Sequence, residues 1–267
     1  MLGLTQLLPT GNIISLFIIG GFLALLAFYI WIARGHLSRP VLTTQPFGLP
    51  DVLGAGILAL WMISMVSRGF DSPQQITFGT IIANSVLYGT LILGIFGVIG
   101  FQKQSAVAIF SLQPSRFPEA AATGLLWLLV SYPLILACQA AVQQCFGSAD
   151  DSQLIVRYFL EHHDLRHRGA VILMAVIVAP VAEEVIFRGY FYGVIRRYGG
   201  RIPAILTSSL LFAAIHVHLP SLPGLILLAT ILCLLYERSG SLWAPITMHA
   251  AFNASTIVVL ILWPEIA

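Results

Sequence analysis

Apolar runs of roughly twenty residues, almost free of charge, recur along this chain and constrain its fold more than any other feature. A helix of about 20 residues crosses the hydrocarbon core of a bilayer. Inside lipid a backbone must satisfy its own hydrogen bonds, which a helix does within one segment. Of the 267 residues, 58% are hydrophobic and 9% charged. Soluble domains carry about 25% charged residues, so this chain cannot cover a water-facing surface. That excludes an ordinary soluble enzyme, a disordered chain and a disulfide scaffold. The expectation is an all-α, polytopic membrane bundle of about eight transmembrane helices, forming a single integral-membrane domain over residues 1–267.

Eight spans are read at residues 13–33, 52–67, 76–101, 120–146, 170–187, 202–217, 222–236 and 242–263. The second is short, and Pro133 is expected to kink the fourth. The longest polar stretch, residues 147–169, carries His162, His163 and His167 among balanced charges. A solvated connector is the plainer account of it than a metal site. Within it Leu154, Ile155, Tyr158, Phe159 and Leu160 suit one face of a short interfacial helix. The first ten residues lack Lys and Arg, so no secretory leader is expected. The ending Pro-Glu-Ile-Ala predicts no prenylation box.

The net charge is +2 and the basic residues are scattered, so no nucleic-acid partner is expected. Cys138, Cys145 and Cys233 read as apolar thiols. Under the eight-span reading one side of the membrane holds Arg34, Arg39, Lys103, Arg116, Arg188, Arg196, Arg197, Arg201 and Arg238. The other holds Arg68, Arg157, Arg166 and Arg168. This excess of Lys and Arg puts the first group in the cytosol. The loop 190–201 is then cytosolic, and residues 147–169 lie across the membrane.

Ionisable groups inside a span are costly and point to function. The fifth span holds Glu183, Glu184 and Arg188. Glu184 and Arg188 stand four apart on one helix face, in the favoured order for an ion pair. Glu183 lies about 100° round the helix, without that partner, and is the candidate general base. The sixth span carries Phe212 and His216 on one face, with His218 at its end. The eighth carries His249 and Asn253, again four apart. Each taken singly is also compatible with a structural role, such as interhelical hydrogen bonding. Together Glu183, His216, His249 and Asn253 supply a base for water, imidazoles for proton transfer and an amide donor for an oxyanion. Patterns for serine, cysteine or H-E-x-x-H chemistry are absent.

The order Glu-Glu-x-x-x-Arg (183–188), Phe-x-x-x-His (212–216) and His-x-x-x-Asn (249–253) resembles the CPBP family of CAAX proteases and bacteriocin-processing enzymes. The turn Tyr236-Glu237-Arg238-Ser239-Gly240-Ser241 resembles that family as well. The resemblance spans about a third of the chain. It implies a membrane endopeptidase with a motif-bearing core over about 170–263 and a site opening toward the cytosolic side. It also implies that Glu183 with His216 activates water, that His249 and Asn253 stabilise the oxyanion, and that Glu184, Arg188 and Phe212 support the site. The implied partners are membrane lipid and a protein or peptide substrate, prenylated proteins included. Two histidines and a glutamate are also zinc-ligand types. If zinc took part, Glu183, His216 and His249 would hold it, but a metal-free, glutamate-activated water is the favoured reading. The competing classes are a proton-coupled transporter, which predicts symmetric halves, and a silent membrane scaffold or immunity protein. The crowding of polar residues into the second half of the chain disfavours the transporter.

Overall fold

The computed structural model describes residues 42, 45–71, 75–146 and 154–263. Among these the chain is helical throughout, with no strand. The main helices are α1 (Leu49–Asp71), α2 (Phe78–Phe101), α3 (Phe117–Phe146), α4 (Leu154–Glu161), α5 (Leu165–Gly199), α6 (Arg201–Ala214), α7 (Leu222–Ser239) and α8 (Trp243–Leu262). Six segments, at α1, α2, α3, α5, α7 and α8, are long and apolar enough to cross a membrane, and α6 is shorter. The expected span at 13–33 lies outside the described residues, as do Arg34 and Arg39. The short α4 forms where an interfacial helix was expected.

Two boundaries differ from the sequence reading. The second span is longer than expected, because α1 begins at Leu49 and ends at Asp71. The fifth does not stop before Arg188 but runs unbroken from Leu165 to Gly199. Arg188 is fully buried and paired inside the bundle, so its charge does not end the span. Tyr190–Val194 are therefore buried helix rather than part of a loop, and Arg188 does not count toward the charge on either side of the membrane.

Outward faces of α1 and α2 carry Leu53, Ile57, Leu60, Leu93 and Phe101, all well exposed. Such a surface is a liability in water but costs nothing against acyl chains. Inward packing is specific. On α2, Ile81, Ser85, Tyr88, Ile92, Ile95 and Ile99 recur at steps of four and three and form one helix face. Ile81 packs with Val171, and Ile92, Ile95 and Ile99 join the main apolar core with Val185, Ile186 and Phe187. On α3, Ala120, Trp127, Leu128 and Ile135 pack with Leu228, Ile231, Leu232 and Leu235 of α7 and with Met248 of α8. Gly124 lets α3 approach α8 closely, since a Cβ there would run into the Ala244 carbonyl.

Two segments of α5 are wound as π-helix, Met174–Val178 and Glu184–Phe191. The first has an evident cause. Pro180 has no N–H and its ring crowds the preceding turn, and the widened turn accommodates it. There the N–H of Ala179 donates to the Met174 carbonyl, five residues back. These two wide turns flank the glutamate doublet.

At one end of the bundle the chain before α1 is tied across α5. Leu42 N–H donates to the Glu237 carbonyl, and Arg197 and Tyr198 donate to the carbonyls of Gln45 and Phe47. The buried Glu237 carboxylate takes Arg196 at 2.6 Å and the Tyr192 hydroxyl.

Candidate active site

Glu183 and Glu184 lie near the middle of the 35-residue α5, both buried. A lone carboxylate at that depth is expensive, so the partners of each define the site. Glu184 has a cation. Arg188 Nη1 donates to Glu184 Oε1 at 2.8 Å, and both side chains are fully buried. The ion pair expected from the four-residue spacing is therefore present. Arg188 also donates through Nη2 to the Ala229 carbonyl of α7 at 3.2 Å, and its guanidinium stacks 4.4 Å from the Phe212 ring centroid. Phe212 is thereby a fixed wall of the site, edge-on to His249 at 5.7 Å and tilted against His216 at 5.0 Å.

His249 of α8 bridges the doublet. Its Nδ1 lies 2.9 Å from Glu184 Oε1, and its Nε2 lies 3.8 Å from Glu183 Oε2. A carboxylate only accepts, so Nδ1 carries the proton of this contact. Glu184 thus orients the imidazole and fixes the tautomer of the neutral ring. Sequence reasoning found no acid to orient either histidine, because Glu184 and His249 are 65 positions apart.

His216 follows the end of α6, where Val217 takes a positive φ of 48°. Its Nδ1 donates to the Phe212 carbonyl at 2.8 Å, which leaves Nε2 as an acceptor in the neutral ring. The imidazole lies close enough to Glu183 and His249 to interact electrostatically with both. His218 turns to Ser221 instead, at 2.7 Å.

Asn253 lies one turn beyond His249 and reaches the same helix. Its Nδ2 donates to the Ala175 carbonyl at 2.8 Å. That carbonyl is available because the wide turn redirects Ala179 N–H to Met174, and Pro180, the next candidate donor, has no N–H. The second N–H of the Asn253 amide is not engaged by this bond.

The partner of Glu183 was not foreseen. Tyr88 of α2 donates its hydroxyl to Glu183 Oε1 at 2.7 Å. No motif surrounds Tyr88. The available signal was a phenol on the same α2 face as Ser85, which meets Met174 Sδ at 3.2 Å.

Glu183, Glu184, Arg188, Phe212, His216 and His249 are therefore gathered by α5, α6 and α8, with Asn253 on the same side of α8 and Tyr88 closing from α2. Such a set can accept a proton from water, shuttle it through imidazole and donate to a developing oxyanion. Among the described residues no three His, Cys, Asp or Glu side chains are arranged to hold a metal ion, including the candidate trio Glu183, His216 and His249. The connector histidines are likewise engaged otherwise. His162 stacks on Tyr158 and His167, and His167 Nδ1 meets Asp164 at 2.7 Å.

Residues 167–255 match the family model described as type II CAAX prenyl endopeptidase Rce1-like. Over 89 residues the chain is 29% identical to a Bacillus subtilis (strain 168) protein named "Putative membrane peptidase YdiL". That alignment takes in 33% of this chain and 36% of the relative, so the chain spans about a third of the length of the curated protein it matches. No solved structure matches. The matched third contains every motif residue and excludes Tyr88.

Proposed function

We propose, from the premise that residues 167–255 are an Rce1-like domain, that this chain is an intramembrane endopeptidase. It hydrolyses a peptide bond of a CAAX-type or peptide-processing substrate, prenylated proteins included, with water activated by Glu183. The observation that carries this reading is the unequal treatment of the two buried carboxylates. Glu184 is neutralised by Arg188, whereas Glu183 has no cation of its own and faces the histidine that Glu184 orients.

In this mechanism Glu183, assisted by His216, takes a proton from water. The hydroxide oxygen bonds to the scissile carbonyl carbon, and the carbonyl oxygen becomes the oxyanion. His249, when Nε2 carries a proton, and the free N–H of Asn253 donate to it. Collapse breaks the C–N bond, the proton held by Glu183 passes to the leaving amine, and a carboxylic acid remains. Arg188 and Phe212 hold Glu184 and His249 in place. The 170–263 stretch acts as the core of one membrane unit.

Peptide cleavage by the purified protein, beside Glu183→Ala, tests the reading. The wild type should cleave and the folded variant should not. Equal cleavage by both overturns the base assignment. Chelators should leave turnover unchanged, whereas a zinc mechanism requires its loss and about one ion per chain.

Orientation belongs to the same proposal. One end of the bundle gathers Lys103, Arg116, Arg196, Arg197, Arg201 and Arg238, against Arg68, Arg157, Arg166 and Arg168 at the other. The first end is cytosolic by this excess, and the site opens toward it. Labelling of Gly199→Cys from the cytosol and of Glu161→Cys from the opposite side, in a cysteine-free background, is expected. The reverse pattern overturns the orientation.

A further inference from the structure

Glu183 carries two oxygens with different neighbours. Oε1 accepts from the Tyr88 hydroxyl at 2.7 Å, and Oε2 is the atom toward His249. Glu184 is held by Arg188 from its own helix, but what holds Glu183 comes from α2, some 95 positions earlier in the chain. A glutamate side chain has several freely rotating bonds, and fixing it at one oxygen decides where the other points. The bond is also an O–H donated to an acceptor that is ionised when it serves as base, the stronger class of hydrogen bond. Apolar packing alone gives no reason for a phenol here. The α2 face continues as Ile92, Ile95 and Ile99, and an aromatic ring without a hydroxyl would fill the same space.

We propose that Tyr88 is a positioning residue for hydrolysis: it occupies Glu183 Oε1 and so presents Oε2, on the His249 side, as the oxygen that takes the proton from water. This inference rests on the reading of Glu183 as the base. It also makes the site depend on a helix that lies outside the Rce1-like domain.

The test compares kcat, KM and thermal unfolding for the wild type, Tyr88→Phe, Glu183→Gln and the double variant, purified in one detergent. Tyr88→Phe keeps the ring and removes only the hydroxyl. It should lower kcat per folded molecule by about 10- to 100-fold, the scale of one hydrogen bond to a charged group. KM should stay unchanged, because Tyr88 touches no substrate in this account. In the double variant the residual rate should fall no further than in Glu183→Gln alone, since groups acting as one unit are not additive. A wild-type kcat for Tyr88→Phe, a loss confined to unfolding temperature, or an additive loss in the double variant overturns the inference. Wild-type turnover by Glu183→Gln instead overturns the base reading itself, and this inference with it. An inactive Glu183→Gln beside an unimpaired Tyr88→Phe overturns this inference alone.

Discussion

His249 Nδ1 and the Arg188 guanidinium converge on one atom, Glu184 Oε1, at 2.9 Å and 2.8 Å. The inner carboxylate therefore does two things at once. It compensates a buried cation within α5, and it fixes the ring of a residue on α8. A change at Glu184 is felt in both stability and ring orientation, whereas a change at Glu183 leaves the Arg188 pair intact.

Glu184→Gln should destabilise the protein by ~3–5 kcal/mol, the usual cost of stranding one partner of a buried pair. Replacing both partners with apolar residues, as in Glu184→Leu with Arg188→Met, should recover most of that loss. Turnover should stay low in the pair, because His249 has lost its orienting carboxylate. Unfolding curves and cleavage rates on the same preparations check both parts. A double variant as unstable as Glu184→Gln would contradict the account.

Asn253→Ala removes the donor to the Ala175 carbonyl. An unsatisfied buried polar group costs about 1–3 kcal/mol, so the unfolding midpoint should drop. If the second N–H also serves the oxyanion, kcat should fall by about 10²–10³ while KM changes little. Asn253→Asp should be worse in both respects, since it presents oxygen to oxygen at Ala175 and charge to the oxyanion. Normal kcat per folded molecule in Asn253→Ala would assign the residue to structure alone.

Gly124→Ala should separate α3 from α8. The added methyl would meet the Ala244 carbonyl and stand 3.2 Å from Met248 N. Backbone atoms of a helix yield little, and overpacking of this kind costs about 1–3 kcal/mol. Reduced thermal stability, with loss of turnover following from displacement of His249, is the expected result. A fully stable Gly124→Ala would show that the two helices part without penalty.

Asp164 caps the start of α5, accepting from His167 N–H at 3.0 Å and meeting its ring at 2.7 Å. The hydrogen bonds from His167 hold its carboxyl down to about 2. A carboxyl depressed in the folded state stabilises it above its unfolded value of about 3.9, and that contribution is lost as pH falls through about 2. Titration of Asp164 in His167→Ala should return its midpoint toward the ordinary carboxylate range. An unchanged midpoint would remove His167 as the cause.

The legible features were those set by helical spacing within one element. Glu184 with Arg188, and His249 with Asn253, share faces because they are four apart, and apolar runs marked the spans that the described residues contain. Features that depend on partners far along the chain were hidden. The contact of Glu184 with His249 and that of Tyr88 with Glu183 each join two helices, and nothing local announces either. The span end at Arg188 was misread because an arginine in isolation looks like a membrane border. Only its neutralisation by Glu184 and its bond to the Ala229 carbonyl keep it inside. The wide turns were hidden too, although Pro180 offered a cue for the first.

The widened turn at Met174–Val178 also makes the chain sensitive to length. Removing one residue there would let the helix close to its ordinary winding and draw every later position back by about 100°. Glu184 would arrive where Glu183 now meets Tyr88, and Val185 would arrive opposite His249. The glutamate doublet would survive intact as text while its carboxylates exchanged stations. A single-codon deletion in this stretch is thus equivalent to rewriting the site, whereas most substitutions within it change only a lipid-facing side chain.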